Sequence, residues 1–322
     1  MSTTKPIQLG LCCLNITLKK QCIPIYPSRT IIQRVIKEKG IGELKRRVEQ
    51  NIQDLLKMIE WNEQNGIKVF RLTSDLFPHK TNPNVEDYTY DFVKSELLEA
   101  GLLAKKYNQR LTFHPGFHNV IGTPKEDVFR KTIADLQYHC EVLDLMQMDK
   151  HSVLVVHGGG IYQNKAETLD RWCHNYNRLP DIIKKRLVLE NCERNFSIED
   201  CLYISNKVNI PIVLDTHHFE CYQILHPEES FHQPEVYIPY ILKTWESSGI
   251  KPKFHVSEQG TGKCGHHSDY VETIPEYLLE IPSKYNIFID IMIEAKKKEL
   301  AIFKLYQKYP FLNCKKKIKL TI

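Results

Sequence analysis

The 322-residue sequence has no apolar stretch approaching the roughly 18 residues that a membrane helix needs. Even NIFIDIMIEA is interrupted by Asp290 and Glu294. Low-complexity linkers and abrupt composition shifts are also missing, and the ten cysteines are scattered with no CxxC pair. With 42% hydrophobic and 26% charged residues, the chain is neither disordered, nor collagen-like, nor a disulfide mini-scaffold. The opening MSTTKPIQLG runs straight into a strand-like segment and leaves no room for a signal peptide, so reduced thiols and an intracellular location are expected. Charge of one sign is in modest excess: 44 Lys+Arg against 39 Asp+Glu, net +5. That balance alone does not demand a polyanionic partner. The Lys315-Lys316-Lys317 run, within a basic tail from about residue 310 to 322, reads as solvated chain.

What is present is an alternation. Short apolar, β-branched runs recur at residues 7–15, 68–74, 110–114, 152–157, 186–190, 211–215, 253–257 and 286–294. Seven of the eight gaps after them carry a helical pattern. In the first, Leu44, Val48, Ile52, Leu55, Leu56 and Ile59 repeat at three- and four-residue steps. Thr123-Pro124-Lys125-Glu126 predicts an N-cap followed by proline at the first helical position. Ala166, Leu169, Trp172 and Tyr176 mark another buried stripe, and a last helix is expected over 295–308. After the seventh run, 260–265 reads as a loop before a short helix over 274–279. Strands alternating with helices imply parallel strands, and eight units predict a single-domain α/β fold, the (β/α)8 TIM barrel. An open doubly wound sheet is the alternative, but no GxGxxG follows the first strand, so no nucleotide cofactor is expected.

The ends of these runs are polar. Asn15, His114, His157, Glu190, Asp215 with His217 and His218, Lys253 with His255, and Glu294 stand at or just after them. In a barrel the C-terminal strand ends converge on one mouth, where catalytic residues sit. Singly, each is explained as a satisfied core histidine or a paired acid. Together they bring unpaired charges to one place, which is costly unless something neutralises them. Imidazole and carboxylate without thiolate suit Mn²⁺, Zn²⁺, Fe²⁺ or Co²⁺, and there are more ligands than one ion can use. Two or three ions a few Å apart are the arrangement for in-line attack on phosphodiesters. Sugar isomerases use the same barrel with one or two metals, so the cluster by itself does not choose the substrate.

Other motifs are ambiguous. His157-Gly158-Gly159-Gly160 reads equally as a phosphate cradle or a close-packing turn. His114 and His118 have helical zinc-site spacing, but Pro115-Gly116 breaks any helix between them. Cys12-Cys13 read as core. Lys263 lies in the 260–265 loop, either contacting phosphate or simply on the surface.

Taken in order and spacing, a set of short motifs resembles the UV damage endonucleases, whose fold is related to that of endonuclease IV. They are Leu9-Gly10-Leu11-Cys12-Cys13-Leu14-Asn15, Phe70-Arg71-Leu72-Thr73-Ser74, His114-Pro115-Gly116, His157-Gly158-Gly159 and Leu189-Glu190-Asn191. Asp215-Thr216-His217-His218-Phe219, Lys253-Phe254-His255, His267-Ser268-Asp269-Tyr270 and Met292-Ile293-Glu294-Ala295-Lys296 complete it. The resemblance runs from about residue 9 to 301. It implies a TIM barrel with two or three divalent ions, manganese with zinc as an alternative. Its implied ligands are His114, His157, Glu190, Asp215, His218, His255, His267 and Glu294, with Glu190 bridging two ions. It implies Glu190, Lys253 and Glu294 at the catalytic centre, Lys253 as a carboxylated lysine beside the metals, and Asn15 reaching DNA near the lesion. Three departures stand out. Asn82 occupies a position that is often histidine in the family, with His79 three residues earlier as a substitute ligand. Phe117-His118 replace a Gln-aromatic pair that probes damaged bases, and Leu11 stands where some relatives have tyrosine.

The resemblance therefore implies an endonuclease that cuts damaged double-stranded DNA 5′ of the lesion, leaving 3′-hydroxyl and 5′-phosphate ends. An apurinic endonuclease, a metal-dependent sugar isomerase or epimerase, and a non-catalytic DNA-binding relic are the alternatives.

Overall fold

Each of the eight apolar runs forms a strand in the computed structural model, which describes residues 5–315. Lys316 and Lys317, and most of the basic tail, lie outside the described residues. The strands are β1 (Ile7–Cys12), β2 (Val69–Arg71), β3 (Arg110–Thr112), β4 (Leu154–His157), β5 (Leu187–Glu190), β6 (Ile212–Val213), β7 (Lys253–Val256) and β8 (Ile289–Ile293). All pairings are parallel. β1 lies between β2 and β8, with Gly10 opposite both Val69 and Met292. β3 extends one side, β7 the other, and β4–β5–β6 form the remaining arc. Single parallel bridges, Phe113 to Leu154 and Asp215 to His255, join the arcs and close the barrel.

The helices form where apolar residues recur at helical spacing. Ile41–Gln64 buries Leu44, Val48, Ile52, Leu55 and Ile59, while Leu56 is only partly covered. Its buried Asn51 and Asp54 accept from the backbone N–H groups of Arg29 and Tyr26, tying the long loop after β1 to this helix. Lys165–Asn177 buries Leu169, Trp172 and Tyr176 but leaves Ala166 exposed.

Helix starts differ from expectation. Thr123 does not cap a helix at Pro124. Its hydroxyl accepts from Lys125 N in a local turn, and the helix Glu126–Leu145 begins two residues after the proline. The last helix is Glu299–Lys308, because Lys298 has φ +48° and buried Glu299 accepts from Ile16 N and Thr17 N. Two short helices, Glu276–Leu279 and Ile281–Tyr285, replace the one expected over 274–279. Among the described residues, no helix is long and apolar enough to cross a membrane.

Candidate metal centre at the barrel mouth

Strand ends supply the site. His114 follows β3, His157 and Glu190 end β4 and β5, β7 carries His255, and Glu294 follows β8. Asp215 follows β6 and caps the helix Thr216–Leu225, its Oδ1 accepting from His218 N at 2.9 Å. That cap starts the helix at once and holds His218 over the strand ends.

Glu190 is the hub, with no exposed surface. Its Oε2 lies 2.7 Å from His114 Nε2 and 3.4 Å from His157 Nε2. Its Oε1 lies 2.7 Å from His255 Nδ1 and 3.8 Å from His218 Nδ1. Glu294 Oε1 is 3.1 Å from His255 Nδ1, and Oε2 is 3.9 Å from His267 Nδ1. Two sets result, buried except for half-buried His114, each with ligand atoms within 4.8 Å of one another: His114, Glu190, His255 and Glu294, and Glu190, Asp215 and His218. Glu190 belongs to both.

Burial opposes ionisation of Glu190, but the surrounding imidazoles hold its carboxyl well below the usual range. Burial, reinforced by the neighbouring imidazoles of His114 and His218 and only partly offset by Glu190, drives His157 down to about 3, so its ring is neutral. At His218 burial is outweighed by Asp215 and Glu190, which lift it to about 9. His157 Nδ1, His255 Nε2 and Asp215 Oδ2 are buried without a hydrogen-bond partner. Such orphans each cost about 1–3 kcal/mol. Three in one cluster of imidazoles and carboxylates fit a centre built to hold divalent cations.

The cluster opens into a cleft of about 700 Å³ whose walls include Cys13, Arg71, Phe117, His267 and Lys296. Phe117 is 71% exposed, and its ring stacks on His157 at 4.6 Å between centroids. His118 is also exposed but turns toward Asp135, 3.5 Å away. The Lys263 carbonyl closes its loop by accepting from His266 N and Gln259 Nε2, and its side chain is exposed. Lys253 has no exposed surface, and its Nζ donates to Thr112 Oγ1 at 3.0 Å, not to an acid. Burial, reinforced by Arg110 and Arg71, brings its amine down to about 7.

Other candidate residues lie apart from the two sets. His79 and Asn82 join neither set. The His79 ring is held by the Ile31 carbonyl at 2.5 Å and by Asn82 Nδ2 at 3.1 Å, and Asn82 lines a separate cleft with Lys80 and Glu141. Asn15 has no surface from which to reach DNA. Cys13, at φ +61°, ends β1 early, and Asn15 caps Ile16–Lys19 by accepting from Leu18 N. His217 stays out of the cluster, bonded to Ser257 and Gln259. At Gly158 a Cβ would lie 2.2 Å from the Phe196 ring, so the glycine run is a close-packing turn.

Sequence reasoning missed Arg71, whose Nη1 donates to Glu294 Oε1 at 2.6 Å. The run over 68–74 hid it, because β2 stops at Arg71 and this residue is itself a strand end. Acids and histidines mark most of the other strand ends, and a basic strand end inside an apolar run carries no such mark.

A closed parallel barrel with histidines and carboxylates gathered at its C-terminal mouth is a TIM barrel carrying a candidate metal centre. The fold alone is shared with a family 2 AP endonuclease from Brucella melitensis, at TM-score 0.51, 11% identity, and coverage of 95% of this chain and 99% of that one. The family follows from sequence. The model for UV-endonuclease UvdE matches residues 7–321, and the chain belongs to that family of UV-damage endonucleases. A UV-damage endonuclease of Schizosaccharomyces pombe is 40% identical over 323 residues, covering 96% of this chain and 52% of its own length. The chain thus spans about half of that relative. The crystal structure of SacUVDE superposes with TM-score 0.79 at 27% identity, covering 95% of this chain and all of that one.

Proposed function

We propose that this chain cleaves damaged duplex DNA on the 5′ side of ultraviolet photoproducts, leaving 3′-hydroxyl and 5′-phosphate ends. The observation that carries the reading is the pair of sets sharing Glu190, beside buried unpartnered atoms of His157, His255 and Asp215, at the mouth of a UvdE-family barrel. His114, His157, Glu190, Asp215, His218, His255, His267 and Glu294 would hold two or three divalent cations, and imidazole-rich coordination favours Mn²⁺ over Mg²⁺. Such cations supply Lewis acidity toward a phosphodiester and make ionised water available at neutral pH. The chain's own residues do the rest. Glu190 fixes four imidazoles around one carboxylate, and Phe117 offers a ring face where a kinked base step can stack. Damage weakens stacking, so a lesion lowers the cost of displacing bases toward that ring.

The test is a nicking assay on undamaged, abasic and ultraviolet-irradiated duplexes. Chelation should abolish nicking, and Mn²⁺ should restore it better than Mg²⁺. Irradiated duplex should be cut in preference to abasic duplex. Full activity in excess chelator after exhaustive dialysis would exclude the metal centre, and preference for abasic sites would make the chain an apurinic endonuclease.

A further inference from the structure

Arg71 closes β2 and points its guanidinium into the same cleft as His114, Phe117 and Glu294, with 12% of its side chain exposed. Nη1 donates to Glu294 Oε1 at 2.6 Å, the oxygen that also faces His255 Nδ1 at 3.1 Å. Nε is buried without a partner. Nη2 has no hydrogen bond among the described residues, yet it is not among their buried unpartnered atoms, so its N–H groups reach the cleft. The guanidinium is a rigid planar fork with five donors and stays charged at any working pH. One arm fixed on Glu294 therefore aims the other.

A structural ion pair explains this poorly. An arginine that only neutralised Glu294 would weaken that carboxylate's hold on any cation in the cluster. A group carrying its own negative charge into the cleft removes the conflict. Resting on the function proposed above, we propose that Arg71 is a catalytic residue: its Nη2 binds a non-bridging oxygen of the phosphodiester being cut, while Nη1 keeps Glu294 in place. The incoming phosphate restores the negative charge that Arg71 offsets. The donor is already oriented, so charge developing on the phosphoryl oxygens is met without reorganisation.

The experiment compares wild type with Arg71→Ala and Arg71→Lys, using melting temperature to establish folding and Arg71→Gln should the alanine variant not fold. Mn²⁺ affinity is measured calorimetrically without DNA, duplex affinity by anisotropy, and cleavage in single turnover. Loss of one preorganised donor typically costs 100- to 1,000-fold in rate. We expect a fall of about that size for Arg71→Ala, with duplex affinity down less than about 10-fold and DNA-free Mn²⁺ affinity unchanged or tighter, because Glu294 then has no competing cation. Arg71→Lys should regain about 10-fold, since a point charge replaces only part of the fork. Methylphosphonate at the scissile linkage should, in one diastereomer, slow wild type while leaving Arg71→Ala no slower still. A wild-type rate in Arg71→Ala overturns the proposal. So does a Mn²⁺ affinity lowered more than about 10-fold with cleavage rescued by excess Mn²⁺, since Arg71 would then only position Glu294. If wild type does not nick irradiated duplex, the functional reading itself fails and takes this proposal with it.

Discussion

Phe117 and Lys253 are two side chains that ordinary packing rules do not account for. An aromatic ring with 71% of its surface exposed contributes little to the core, so its removal should hardly change stability. Stacking of a base on such a ring is worth roughly 1–3 kcal/mol. Phe117→Ala should therefore weaken binding of damaged duplex about 5- to 150-fold, with single-turnover cleavage of the bound complex falling much less. Its melting temperature should match wild type. A large drop in melting temperature, with preference for damaged DNA intact, would make the ring structural.

Lys253 is the opposite case, a lysine with no exposed surface beside two arginines. Its amine is brought down to about 7, mainly by burial, so an unprotonated nucleophile is available near neutrality. Attack of that neutral amine on carbon dioxide forms an N–C bond and releases one N–H proton to solvent, giving a carbamate anion that a bound metal would attract. Protein equilibrated with ¹³C-bicarbonate should show a carbamate carbon signal that is absent from Lys253→Met. A bare amine on Thr112 in crystals grown with bicarbonate would contradict this.

At the scale of elements, the barrel is legible wherever an apolar run is long and regular. The strands stop where a side chain has another task. Cys13 in a left-handed conformation cuts β1 short of Asn15, and Asp215 leaves β6 to cap the helix carrying His218. Neither event follows from hydropathy, because capping and backbone sign depend on hydrogen bonds to distant groups. The turn after β4 can be tested at the same scale. Gly158→Ala would drive a methyl into the Phe196 ring and should destabilise the protein by about 1–3 kcal/mol. Gly160→Ala meets only ordinary contacts, 3.5 Å from Tyr162, and should be nearly neutral in denaturant unfolding. Equal destabilisation by both would mean that the turn is not set by the approach of Phe196.

Across the whole molecule, the two ends of the barrel do different work. The C-terminal mouth gathers imidazoles and carboxylates with orphaned atoms. The N-terminal end holds an ion-pair network instead, in which Asp290 accepts from Arg110 Nη1 at 2.8 Å and from Lys251 Nζ. Burial alone would raise the Asp290 carboxyl, but Lys251 and Arg110 more than offset it and hold it below the usual carboxylate range. The ionised form is thus favoured by folding. Its stabilisation is complete above about pH 4 and is lost as pH falls through the lowered folded-state value. Asp290→Asn should cost about 3–5 kcal/mol at neutral pH, because buried Arg110 and half-buried Lys251 lose their partner. The gap from wild type should shrink in acid, and nicking by the folded variant should persist. A pH-independent difference in unfolding free energy would exclude this linkage.

Sequence by itself determined the eight-fold alternation, the polar strand ends and the family. Periodicity and residue order are local properties, and the motifs from Leu9 to Lys296 keep their order whatever surrounds them. Only tertiary structure decided which polar residues meet. His114 and Glu190 are 76 positions apart yet 2.7 Å from each other. His79 and Asn82, equally plausible ligands by type, bond to each other and to Ile31 instead. Arg71 and Glu294, 223 residues apart, become partners because barrel closure places β2 and β8 on either side of β1. Side-chain chemistry is written along the chain, but the distances that turn it into a site are set by closure of the sheet.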